Sequence, residues 1–176
     1  MATAWLSLVL MCTALMIGPL RRIDGRPSPI SMYRRRDLGI WAALIGLVHF
    51  VAGNAVAMNE RYLSLFVRDA VLAPSQSARE AIFSGSSILG TVVGVVFVLL
   101  LAISSDWAMH RLGPRLWKSL QRSALFAFWL TVAHGVGFQV LEGRILPLLI
   151  LVAAALVVVS FRSRARRGRL RLQSAD

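Results

Sequence analysis

The sequence predicts an all-α, polytopic membrane bundle of about five transmembrane helices, with its N-terminus outside and its C-terminus cytoplasmic. Three observations carry this. The 176 residues are 57% hydrophobic but only 16% charged, while the net charge is +12. A soluble domain is about 45–50% apolar and about 25% charged, so neither figure suits one. Apolar runs near the bilayer-spanning length alternate with short arginine-rich stretches. The high charge alone suggests nucleic acid, but its segregation from the apolar runs makes it an orientation signal, and no nucleic-acid partner is expected.

The first span is about Ala2–Leu20. Nothing basic precedes it, and Arg21 and Arg22 follow it. A signal peptide has the reverse order, so an uncleaved span with an outer N-terminus is expected. The second span is about Leu38–Met58, the third about Gly85–Ser105, the fourth about Ser119–Leu141 and the fifth about Ile145–Phe161. The fifth is short and almost purely aliphatic, so it is expected to face lipid. Residues 1–161 thus form one membrane domain, followed by a basic cytoplasmic tail, 162–176.

Charge fixes the orientation. Sixteen of the twenty basic residues lie in the first connection (Arg21–Arg36), the third (Arg111–Arg122) and the tail (Arg162–Arg171). Only Arg61, Arg68, Arg79 and Arg144 fall on the other side, where four acids balance them. The rich side is therefore cytoplasmic, in contact with lipid headgroups. The Asn59–Phe83 connection lies outside, and its Arg61–Leu72 stretch is weakly amphipathic, as an interfacial segment would be. Cys12 is the single cysteine. It cannot form an intrachain disulfide and reads as a small apolar side chain.

Ionisable groups within a bilayer are costly and point to function. Away from their ends, the spans hold only His49 and His134; His110 reads as a solvated loop residue. His49 lies twelve residues beyond Asp37, and His134 twelve beyond Arg122. Both are thus expected about 18 Å from the cytoplasmic boundary, at about 1.5 Å per residue, on helices running the same way. Ala42, Gly46, His49 and Gly53 share one helical stripe, as do Ala127, Thr131, His134 and Phe138. Gly46, Gly53 and Thr131 leave room for a flat macrocycle, although small residues also permit close helix packing. Gly90 and Gly94 read as a packing pair. The geometry fits two axial ligands of a haem iron. It also fits purely structural histidines, a hydrogen-bonded pair, a proton relay that lacks carboxylates, or a metal site whose third ligand is missing, with Asn54 nearby.

Several stretches resemble the ferric reductase-like transmembrane domain, and more closely the MsrQ/YedZ family. These are Ile17–Leu20 before a basic loop, the run RRDLGIWAALIGLVHF, and LLLAISSDWAMHRLGPRLWKSLQR leading into VAHGVGF. The resemblance spans roughly Met16 to Phe138, about 70% of the chain. It implies that His49 and His134 ligate a b-type haem in the bacterial inner membrane. It also implies electron transfer from a cytoplasmic flavin reductase or the quinone pool to a periplasmic molybdenum-containing reductase. The family places a further histidine after a leucine, thirteen positions before the last one; here that position is Gln121. A single haem is therefore expected. A further family span before the first is not seen. No GxGxxG-type nucleotide site occurs, so flavin or NAD(P)H chemistry falls to a partner; FMN or quinone binding has no support in the residues. The runner-up is a scaffold or assembly subunit that kept the fold without redox work. A transporter is disfavoured by the lack of intramembrane acids and of broken, inverted spans.

Overall fold

A computed structural model describes residues 2–23, 29–57 and 78–173. Among them the chain forms six helices and no strand: α1 (Ala2–Ile23), α2 (Pro29–Ala57), α3 (Ala78–Ala102), α4 (Asp106–Gln121), α5 (Ser123–Leu141) and α6 (Ile145–Gln173). Five helical stretches are long and apolar enough to cross a membrane, the fourth running through α4 and α5 together. The five expected spans are thus present. The expected amphipathic stretch Arg61–Leu72 lies outside the described residues.

The connection between the third and fourth spans is not a loop. Ser105 caps α4 by accepting a hydrogen bond from the Ala108 N–H at 3.1 Å, and Asp106 sits in the first turn. Both choices satisfy the partial positive charge of a helix start. Gly113 then kinks the helix with φ 71°, a left-handed conformation that favours glycine, and Pro114 restarts it. The indole N–H of buried Trp117 donates to the Ile103 carbonyl at 2.8 Å, tying α4 back to the end of α3. His110 is exposed, as expected, but on a helix.

The helix α5 ends in a Schellman turn. Gly143 takes φ 66°, the Arg144 N–H donates to the Gln139 carbonyl at 3.0 Å, and the Gly143 N–H donates to Val140 at 3.2 Å. This tight reversal sets α6 antiparallel to α5. The helix α6 continues past residue 161 through the arginine-rich stretch to Gln173, because arginine and leucine are good helix formers. It does not face only lipid. Leu151, Ala155 and Val158 turn one stripe into the core, while Leu149, Leu156 and Val157 are exposed.

The spanning helices close into a ring in the order α1, α2, α3, α5, α6 and back to α1. In this ring α2 and α5 are not neighbours; α3 separates them on one side, and α1 with α6 on the other. Phe128 and Val158 are the largest fully buried side chains, surrounded in the core by Leu8, Leu15, Ala42, Phe97 and Leu151. Small residues draw the helices together. The Ser7 hydroxyl donates to the Ala42 carbonyl at 2.7 Å, joining α1 to α2, and the Phe97 ring of α3 packs directly on Gly46 of α2. Cys12 packs half-buried against this core. The exterior is apolar: Val9, Trp41, Val51, Val95, Leu99 and Phe126 all point outward. An exposed hydrophobic belt over a small-residue interior is the pattern expected in lipid. Charged contacts occur at the helix ends. Arg36 pairs with Asp106 at 2.6 Å at one end, and Arg79 donates to the Leu141 carbonyl at 3.1 Å at the other.

Candidate functional site

The closed ring places His49 and His134 on opposite helices of the bundle, α2 and α5, each half-buried. Their vertical relation follows from the contacts of α3, which runs antiparallel to both. Phe97 meets Gly46, and Phe50 meets Gly94. On the other side His134 meets Gly90, and Ser86 meets Gly137. His134 is therefore level with Gly90, and His49 with about Gly94. The two rings are offset by about one helical turn, or ~6 Å, rather than lying at one depth as the equal counts from Asp37 and Arg122 imply. Counting from the charged residues assumes that both helices enter the bundle at one level, and the packing of α3 shifts that level.

Each imidazole is held through the same ring atom. Nδ1 of His134 lies 2.7 Å from the backbone carbonyl oxygen of Ser86. A carbonyl can only accept, so Nδ1 carries the proton and Nε2 keeps its lone pair. Nδ1 of His49 lies 3.4 Å from the Thr3 hydroxyl, a longer and weaker contact. Neither Nε2 makes a hydrogen bond among the described residues. A neutral imidazole held at Nδ1 with a free Nε2 is the arrangement of a metal-ligating histidine, whose other nitrogen donates to a carbonyl, carboxylate or water.

The residues around the pair divide. The Phe138 ring stands edge-on to His134, with centroids 5.1 Å apart, and Phe83 stands edge-on to Phe138 at 5.8 Å. Gly53, one turn beyond His49, is exposed, and no described residue comes within 4 Å of where its Cβ would stand. Gly46 does not leave room as expected, because Phe97 fills its notch and the Ser7 hydroxyl lies 3.0 Å from where a Cβ would stand. Thr131 is half-buried and turns its hydroxyl to the Ala127 carbonyl of its own helix at 2.8 Å. The Asn54 side-chain N–H likewise donates to the Phe50 carbonyl of its own helix at 2.7 Å. Among the described residues no group of three or more His, Cys, Asp or Glu side chains gathers that could hold a metal ion. The donor set is two imidazoles without a carboxylate, which fits a planar macrocycle with its own equatorial nitrogens better than tetrahedral zinc. Gln121 lies at the far end of α4, thirteen residues from His134, and takes no part in this site.

The Ferric reductase like transmembrane component family matches residues 1–132. The chain belongs to this ferric reductase-like family. Curated relatives of this ferric reductase-like protein include the protein-methionine-sulfoxide reductase heme-binding subunit MsrQ of Bordetella pertussis. That protein is 29% identical over 82% of this chain and 67% of its own length. The MsrQ of Ralstonia nicotianae is 28% identical over 76% of this chain and 55% of its own. No solved structure matches. With its five spans, this family member is a multi-pass protein of the bacterial inner membrane. The family match includes His49 and stops two residues before His134.

Three residues at the site escape a reading of the sequence, Thr3, Ser86 and Phe97, and a fourth, Gly90, reads there only as half of a packing pair. One signal was present. Ser86, Gly90 and Gly94 are spaced by four, a small-residue stripe one step longer than the glycine pair. It does pack a neighbour, but at Gly90 that neighbour is the His134 ring.

Proposed function

We propose that this chain is a membrane electron-transfer subunit in which His49 and His134 are the axial ligands of a single b-type haem. The observation that carries this reading is the Nδ1 hydrogen bond from His134 to the Ser86 carbonyl, which leaves the Nε2 lone pair free inside a bundle. The names of the relatives, as haem-binding subunits, support it. A haem held there supplies a one-electron iron couple.

The chain's own residues do the rest. His49 and His134 bind from two helices that α3 holds apart. Ser86 and Thr3 orient the rings. Phe138, Phe83 and the exposed apolar belt keep water from the site. His134 lies about 11 Å from the end of α5 at Leu141 and about 17 Å from its start, at about 1.5 Å per residue. With the arginine-rich ends in the cytoplasm, the pair sits nearer the periplasmic face. That position suits delivery of electrons to a periplasmic reductase, such as the methionine sulfoxide reductase implied by the names of the relatives. The donor is a cytoplasmic flavin reductase or the quinone pool.

The test is haem content. Protein purified from haem-replete cells and converted to its pyridine complex should contain one haem b per chain. A haem-free preparation would leave the fold as a scaffold, and two haems per chain would contradict the assignment of one site.

A further inference from the structure

The contact between α3 and α5 is reciprocal. Gly90 of α3 receives the ring of His134 from α5, and one turn away Gly137 of α5 receives the side chain of Ser86 from α3. A methyl group on Gly90 would stand 2.5 Å from Cε1 and 2.7 Å from Nδ1 of His134. These are distances that real Cβ atoms do not tolerate. A methyl group on Gly137 would overlap the Ser86 side chain. Ser86 is 4% exposed and provides the carbonyl that the ring reaches. Among the described residues His49 has no equivalent seat; its one hydrogen-bonding contact there is the 3.4 Å approach of the Thr3 hydroxyl.

We propose that Gly90, Gly137 and the Ser86 backbone form a seat on α3 and α5 that positions the His134 ring, making His134 the anchored ligand of the pair and His49 the looser one. This rests on the reading of both histidines as ligands. The three are positioning residues that act through His134. A carbonyl accepting from Nδ1–H increases the electron donation of the ring and favours the oxidised state of a bound metal.

Two measurements test the seat. The first uses the unaltered protein without haem. Its histidine 15N ring spectra, assigned by loss of a signal in His134→Gln, should show His134 as the Nδ1–H tautomer; an Nε2–H tautomer overturns the proposal. This readout does not depend on haem, so it separates failure of the seat from failure of the haem reading. The second uses the haem-loaded protein. Gly90→Ala and Gly137→Ala should each shift the midpoint potential upward, change the low-spin resonance signature and lower haem retention at least tenfold, while Gly85→Ala should match the unaltered protein. Gly85 is on the same helix, with no atom within 4 Å of an added Cβ. His49→Ala should retain more haem than His134→Ala. Unchanged potentials and spectra in both glycine variants, or equal haem loss from both histidine variants, overturn the proposal. If either glycine variant fails to fold, the tautomer measurement on the unaltered protein decides.

Discussion

Replacing Phe128 with alanine removes a fully buried ring from the core, a side chain with no exposed surface that packs edge-to-face on Trp129 at a centroid distance of 5.4 Å. In a water-soluble protein such a change costs about 3–5 kcal/mol. About 1.5–3 kcal/mol of that is transfer of the ring out of water. In a bilayer the separated helices present the ring to lipid tails rather than to water, so the transfer part is lost and only packing remains. The expected cost is therefore about 2 kcal/mol, the difference between those two ranges. It corresponds to a ~30-fold change in the folding equilibrium. Reversible unfolding in mixed micelles, followed by helicity as the denaturing detergent fraction is raised, measures it. Val98→Ala, on the exposed side of α3, serves as a control, with an expected cost below about 0.5 kcal/mol. A cost of 4 kcal/mol or more for Phe128→Ala would show that water is the reference environment, and a cost as small as the control's would show that the ring is not packed. Either result refutes the reasoning.

Three further perturbations address the ends of the bundle. Trp117→Phe removes the 2.8 Å bond to the Ile103 carbonyl and should cost about 1 kcal/mol, with faster amide hydrogen exchange at the start of α4; unchanged exchange would mean that the indole does not hold the corner. Arg36 and Asp106 form a short ion pair, but the Asp106 side chain is 71% exposed. A double-mutant cycle should therefore give a coupling below about 1 kcal/mol that shrinks with added salt, whereas a larger, salt-insensitive coupling would mean that the pair is shielded from solvent. A fluorescent reporter fused after Asp176 should be bright, and alkaline phosphatase fused there inactive, because the excess of arginine at the end of α6 is expected on the cytoplasmic side; the reverse pattern would invert the orientation and place the histidine pair nearer the cytoplasm.

The spans were legible because a bilayer imposes both length and apolarity on them, and these are local properties of the sequence. The histidine pair was legible for the same reason, since an ionisable group stands out in an apolar run. What the sequence did not disclose depends on neighbours. The polar, kinked α4 has no apolar span pattern, and its start rests on the Ser105 cap and on Trp117 reaching back to Ile103. Gly46 and Gly53 share a stripe, yet Phe97 fills the space at one and not at the other. That difference is set by the register of α3 against α2, which no stripe on α2 can reveal. The same register produces the one-turn offset of the histidines and brings Ser86 and Gly90 to His134.

In the proposed function His49 and His134 together hold a haem. The most direct measurement is the reduced-minus-oxidised absorbance spectrum of the purified membrane protein beside His49→Ala, His134→Ala and His110→Ala. A low-spin b-type spectrum is expected in the unaltered protein and in His110→Ala, and its loss in the other two variants. A colourless unaltered protein, or a low-spin spectrum that survives loss of either His49 or His134, would contradict it.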